Sequence, residues 1–362
     1  MSIDDILKDG FHLRGLERNI TDYSFISLKT ALNSYFSTYK RSNLFFARVL
    51  TEEENKGEKN HGYENDYYYI TQYIEAYTET ILHFQHFIEL VCKEILRKEN
   101  ELLVLNIDHK HELFYRLLNK EVVEPSEFEG LRTKEFSATY QRLCALIDNN
   151  KLDSRYNFLS NKKNKKVLEA LNDLRNRIWH RGTFVMRYKS LDKFIGGYIL
   201  PIINEIVSLP EFNEMSYLWK YKSVQSGIDP IKELLSELAK EKFDLGKVAF
   251  LKEIGRAAYS NPLNYKMKFF NTQIIESVTR TAEREVESFQ TPLYDCPVCG
   301  IESLVTYEES DGEMEQDGSF SSYWTFSYAV KCHCCSFYIS RELKNPNKYG
   351  FNLPDYWYGI EH

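Results

Sequence analysis

The chain has 362 residues and a formal net charge of −7, from 46 Lys and Arg against 53 Asp and Glu. Its 43% apolar and 27% charged residues lie near the averages of a soluble globular protein, which excludes disorder or a collagen-like repeat for the bulk of the chain and suits two or three domains. The acidity excludes a uniformly basic nucleic-acid coat.

The opening MSIDDILKDG carries no charged-then-apolar leader, and no stretch reaches the ~18 apolar residues of a membrane span, so the expectation is a cytoplasmic protein with no membrane partner. Residues 1–66 form an N-terminal segment of unassigned role, with a helix predicted over 24–49 and a polar linker, TEEENKGEKNHGYEND, over 51–66. Beyond it, Ile70, Ile74, Tyr77, Ile81, Phe84, Ile88, Val91 and Ile95 alternate steps of four and three, the seam of a bundled helix about 40 Å long. His83 and His86 on this helix read as core or polar-edge histidines. Further helices are predicted over 109–120, 133–149, 162–181 and 190–208, the last kinked at Pro201. Together these make a helical bundle over residues 67–210. Residues 211–290 read as a helical connector with breaks at 244–246 and 261–262.

The last segment, 291–362, changes character. SLVTY, SYWTFSYAV and SFYIS are rich in β-branched and aromatic residues, which predicts a small β module. The fold class expected is therefore mainly α, a four-helix-type bundle with extra helices and a C-terminal β module. Five of the seven cysteines lie within this module. Cys296 and Cys299 form one Cys-x2-Cys knuckle, and Cys332 and Cys335 repeat the spacing after 32 intervening residues. Two such knuckles supply four thiolates to a tetrahedral Zn²⁺ in a closed, structural site. His333 or Cys334 could replace Cys335 or Cys332 as ligand. The arrangement resembles the zinc-ribbon family. Glu308, Glu309, Asp311, Glu313, Glu315 and Asp317 read as one acidic loop, either solvated or turned towards a protein partner or inhibitor.

The second informative stretch is KKNKKVLEALNDLRNRIWHRG, residues 162–182. On a helical wheel Val167, Leu168, Leu171, Leu174 and Ile178 share a core-facing arc, while Asn176 and His180 lie one turn apart on the other side. Arg175 sits about 140° around the axis from His180, so a second copy related by two-fold symmetry would close the gap between them. Residues 161–190 hold nine Lys and Arg against two carboxylates, a local +7 inside an acidic chain. A structural reading also exists: Arg-Asn-x3-His fits a helix end, where cations favour the dipole.

Arg175-Asn176-x3-His180 resembles the motif of the HEPN-superfamily ribonucleases, and the resemblance covers about residues 67–210. It implies a HEPN-like bundle and a metal-independent endoribonuclease acting as a homodimer on RNA, with Arg175, Asn176 and His180 as catalytic residues. Lys162, Lys163, Lys165, Lys166, Arg177, Arg181 and Arg187 would then attract the RNA backbone. A toxin or antiviral-defence role is common in that family. Gly182 stands where some antitoxin-paired members carry Tyr, so their regulation is not implied. The alternative is a non-catalytic HEPN-like dimeric scaffold whose zinc ribbon binds a protein or nucleic-acid partner.

Overall fold

The three- and four-residue apolar steps resolve into helices over most of the chain, and the β-branched runs into one sheet. The computed structural model describes residues 20–42, 71–107, 110–124, 127, 131–182, 184–222, 224–264, 268–289, 291–314, 320–340, 343, 346–351 and 353. The linker expected at 51–66 lies outside them. The helices are α1 (Ile20–Ser42), α2 (Thr71–Glu99), α3 (His111–Leu118), α4 (Phe136–Asp148), α5 (Asn157–Ser160), α6 (Lys162–Arg181), α7 (Tyr188–Phe194), α8 (Leu200–Val207), α9 (Ser216–Trp219), α10 (Pro230–Ala239), α11 (Leu245–Ser260) and α12 (Lys268–Phe289). Strands β1 (Leu293–Asp295), β2 (Glu302–Met314), β3 (Phe320–Cys332) and β4 (Tyr338–Ser340) form an antiparallel sheet in that order. Among the described residues no helix is long and apolar enough to cross a membrane.

Two compact units divide the chain, one of Met1–Leu32, Thr78–Phe184 and Tyr198–Lys220, the other of Asn33–Tyr77, Val185–Gly197 and Tyr221–His362. This grouping differs from a linear division of the sequence. In the first unit α4, α5 and α6 pack on one another. Phe25 meets Phe87 and Phe212 at centroid separations of 5.5 and 5.7 Å. His86 lies in this unit with Nδ1 2.8 Å from Ser27 Oγ, and burial lowers its pKa. His86 is thus tied into the fold, whereas His83 is half-buried and its Nδ1 finds no hydrogen-bond partner among the described residues.

The second unit is built around α11, which packs on α10 and β4, while α12 covers β1 and β2. Its core holds an ion pair: Lys252 Nζ lies 2.7 Å from Asp192 Oδ1, with neither side chain exposed. The ammonium also sits 4.3 and 4.2 Å from the ring centroids of Tyr35 and Tyr188. Burial lowers the Lys252 pKa and raises that of Asp192.

Three expectations need correction. Ile74 is 39% exposed, because the seam of α2 begins on Tyr73 and Tyr77, both fully buried. The interruption expected at Pro201 falls earlier, as a π-helical turn over Ile195–Ile199, after which α8 restarts with the proline in its first turn. A proline ring clashes with the carbonyl four residues before it, here residue 197, and the wider turn relieves that clash. The acidic loop is not a loop: Glu308, Glu309, Asp311 and Glu313 lie on β2, paired with β3 from Glu308↔Ser327 to Glu313↔Ser322. Glu315 and Asp317 lie outside the described residues.

Candidate metal centre and motif helix

The sheet brings the two knuckles together. The Sγ atoms of Cys296, Cys299, Cys332 and Cys335 lie within 4.8 Å of one another. Cys296 and Cys335 are 3.5 Å apart, and Cys299 and Cys332 are 3.6 Å apart. A Zn–S bond of about 2.3 Å in a regular tetrahedron requires sulfur separations of about 3.8 Å, so the thiols fit such an ion closely. Both knuckles share one backbone design. Cys296 N–H donates to Ile301 O at 3.0 Å, and Cys332 N–H donates to Phe337 O at 2.8 Å. The residue after each second cysteine is left-handed, Gly300 at φ +72° and Ser336 at φ +57°. Glycine takes that conformation without a Cβ clash; serine tolerates it at some cost. Backbone N–H groups of Val298 and Cys334 point at Cys296 and Cys332 Sγ, at 3.4 and 3.3 Å, and favour thiolates there. Hydrogen bonds among the thiols pull Cys299 and Cys332 below the ordinary thiol range, whereas burial pushes Cys296 up. These four cysteines could hold a metal ion.

The neighbouring donors separate from this set. His333 turns to α12, its Nε2 2.6 Å from Glu285 Oε2. Cys334 is buried but outside the four-sulfur group.

Sequence spacing did not reveal what braces the knuckles. Arg256 Nη1 donates to Ser336 Oγ at 3.1 Å, and Nη2 to Ser336 O. Glu253, which pairs with Arg256 at 2.6 Å, accepts from Tyr338 N–H at 2.8 Å. Ser303 Oγ lies 3.2 Å from Cys332 Sγ. On the other side Gln225 and Ser226 N–H donate to Val298 and Pro297 carbonyls at 3.0 and 2.8 Å. The i,i+3 spacing of Glu253 and Arg256 signals an ion pair, but nothing in it points to a loop 80 residues away.

Helix α6 begins and ends where its sequence dictates. Asn161 caps it, accepting from Asn164 N–H at 2.8 Å, and Gly182 closes it in the left-handed region at φ +60°. Leu168 and Leu171 are fully buried, but Val167, Leu174 and Ile178 are only half-buried. The core-facing arc therefore loses cover towards the C-terminus. There Arg175 Nη1 donates to Asn176 Oδ1 at 2.9 Å, and the same guanidinium lies 5.6 Å from the Trp179 ring centroid. Arg175 and Asn176 are half-buried; His180 and Arg181 are exposed.

Of the other basic residues expected to meet RNA, Lys162, Lys163, Lys166 and Arg177 are exposed and Lys165 is half-buried. Lys163 Nζ lies 5.9 Å from the Tyr198 ring centroid, and Arg177 lies 5.6 Å from that of Phe184. Arg187 is exposed at the N-cap of α7, in the second unit. Comparison with protein-family models, curated proteins and solved structures gave no match.

Proposed function

We propose that the chain is a HEPN-type endoribonuclease that cleaves RNA through attack of a ribose 2′-OH on the adjacent phosphate, with Zn²⁺ held structurally by Cys296, Cys299, Cys332 and Cys335. The observation that carries this reading is the end of α6, where Arg175 is anchored by Asn176, and Asn176 stands one turn before an exposed His180. An imidazole, which accepts a proton at one ring nitrogen and donates one when protonated, suits both removal of the 2′-OH proton and protonation of the leaving 5′-oxygen. The planar guanidinium suits the equatorial oxygens of a pentacoordinate phosphorane. Asn176 accepts from Arg175 and so positions the cation.

Two further features support RNA as the substrate. Lys162, Lys163, Lys166, Arg177 and Arg181 form no ion pair among the described residues, so their charge is open to phosphate. Lys162 and Lys163 also sit in the first turn of α6, where the helix dipole disfavours cations. One copy separates Arg175 and His180 by about 140° around the helix, so we assign the active site to two copies of α6 paired in a homodimer, each supplying one partner of the other.

End-mapping of RNA treated with wild type should give 2′,3′-cyclic phosphate and 5′-hydroxyl termini. Arg175→Ala and His180→Ala should each lower cleavage by about 10²-fold or more while the circular dichroism spectrum is kept. Cleavage at wild-type rate by both variants would overturn the assignment.

A further inference from the structure

Trp179 is 66% exposed, although it carries one of the largest apolar side chains in the sequence. It lies about 40° around α6 from Arg175 and about 100° from His180, hence on the arc between the two. The Arg175 guanidinium rests towards its ring at 5.6 Å, within cation–π range. Its neighbours on that arc, the half-buried Arg175 and the exposed His180, form no ion pair among the described residues, whereas Arg177 and Arg181 lie on the opposite face of the helix. Tyr115, of similar exposure at 63%, offers a contrast: Arg116 beside it is already answered by Glu127 and Glu121, at 2.6 and 3.7 Å. An exposed indole beside a guanidinium that no carboxylate answers has the two parts that single-stranded nucleic-acid sites combine, a π-face for a base and positive charge for its backbone.

We propose that Trp179 is a base-stacking residue that selects unpaired RNA, taking one nucleobase beside the phosphate held by Arg175 of the same copy. A base inside a duplex has both faces covered by its neighbours and cannot lie on the indole, so the preference is for loops and single strands. The inference rests on the ribonuclease reading for its biological meaning, but its test does not depend on cleavage.

The test is the affinity of the full-length, zinc-loaded protein for a short single-stranded 2′-O-methyl RNA, which cannot undergo 2′-OH attack. Fluorescence anisotropy at one salt concentration compares the intact oligonucleotide with a version made abasic throughout. Wild type should bind the intact strand about five-fold to 150-fold more tightly than the abasic one, the range expected of one stacked base. Trp179→Ala should lose that preference and Trp179→Phe should keep most of it. Dependence of affinity on salt should be unchanged in Trp179→Ala, since an indole contacts no phosphate.

Equal base preference in wild type and Trp179→Ala overturns the proposal. So does a change of molecular mass in Trp179→Ala by light scattering with base preference intact, which would make the indole a contact between copies. Failure of wild type to cleave natural RNA would sink the ribonuclease reading while leaving the stacking result to stand or fall alone.

Discussion

Helix α11 buries fourteen of its sixteen residues, Lys252, Glu253 and Arg256 among them, whereas α6 buries three of its twenty. α6 is the more charged, with nine Lys, Arg, Asp or Glu among twenty residues against four among sixteen in α11, but the count alone does not explain how Lys252, Glu253 and Arg256 come to be buried. What separates them is where the charges find their partners. On α11 each buried charge meets an opposite one or a main-chain polar group: Lys252 meets Asp192, Glu253 meets Arg256 and Tyr338 N–H, and Arg256 meets Ser336. A buried charge without such a partner costs several kcal/mol, so these groups fix the fold. On α6 the cations form no ion pair among the described residues, and all but the half-buried Lys165 and Arg175 are exposed. They add little to stability.

The largest effect is expected at the four cysteines, where the proposed zinc would be removed. Structural zinc sites contribute apparent free energies on the order of 10 kcal/mol in small domains, because the thiolates converge only in the folded state. Chelation of the zinc-loaded protein should therefore produce the largest loss of stability. Arg256 and Glu253 tie Ser336 and Tyr338 to α11. Amide exchange should therefore rise in α11 as well as in the knuckles, and remain near its starting level in α6. Unchanged protection of α11 after metal loss would show that the brace is incidental. The readout is hydrogen exchange followed by mass spectrometry.

Next in size is Arg256→Ala, which leaves Glu253 buried without its counter-ion; breaking such a pair costs about 3–5 kcal/mol. Lys252→Met should cost a comparable amount by stranding Asp192. Adding Asp192→Leu to Lys252→Met should recover most of the loss, since two apolar residues of similar volume replace an ion pair at little net cost. Denaturant midpoints of the three variants would measure this, and a double variant no better than the single would mean that the tyrosine rings around Lys252 matter more than its charge.

The same division explains what could be read before the structure. The limits of α6 were legible because a capping asparagine and a C-terminal glycine mark them locally. The thiol cluster was legible because two identical spacings converge on one coordination chemistry. The bracing of the knuckles was not, since Arg256 and Ser336 meet only through tertiary packing. Nor was the strand nature of the acidic run: Glu308, Glu309, Asp311 and Glu313 look like turn residues by composition, yet pairing with β3 holds them extended. At the motif itself the sequence placed Arg175, Asn176 and His180 near the end of one helix, but not the Arg175–Asn176 hydrogen bond or the exposed indole between them.

The smallest effect tests the α6 side of the comparison by reversing a sign. Lys162 is the first residue after the Asn161 cap, exposed and with no acidic residue in the first turn. The helix dipole favours an anion at that position by roughly 0.3–1 kcal/mol, so Lys162→Glu should raise the stability of the first unit slightly. If the lysine meets RNA, the same change should weaken binding and flatten its dependence on salt, by about 0.7 in the logarithmic slope for each single-strand phosphate that the protein no longer neutralises. A gain in unfolding midpoint together with a loss in affinity would mark Lys162 as a residue placed for its ligand against the interest of its own helix. A gain in stability with RNA affinity and salt slope untouched would confine the RNA surface to the C-terminal end of α6, where Arg175 and His180 lie.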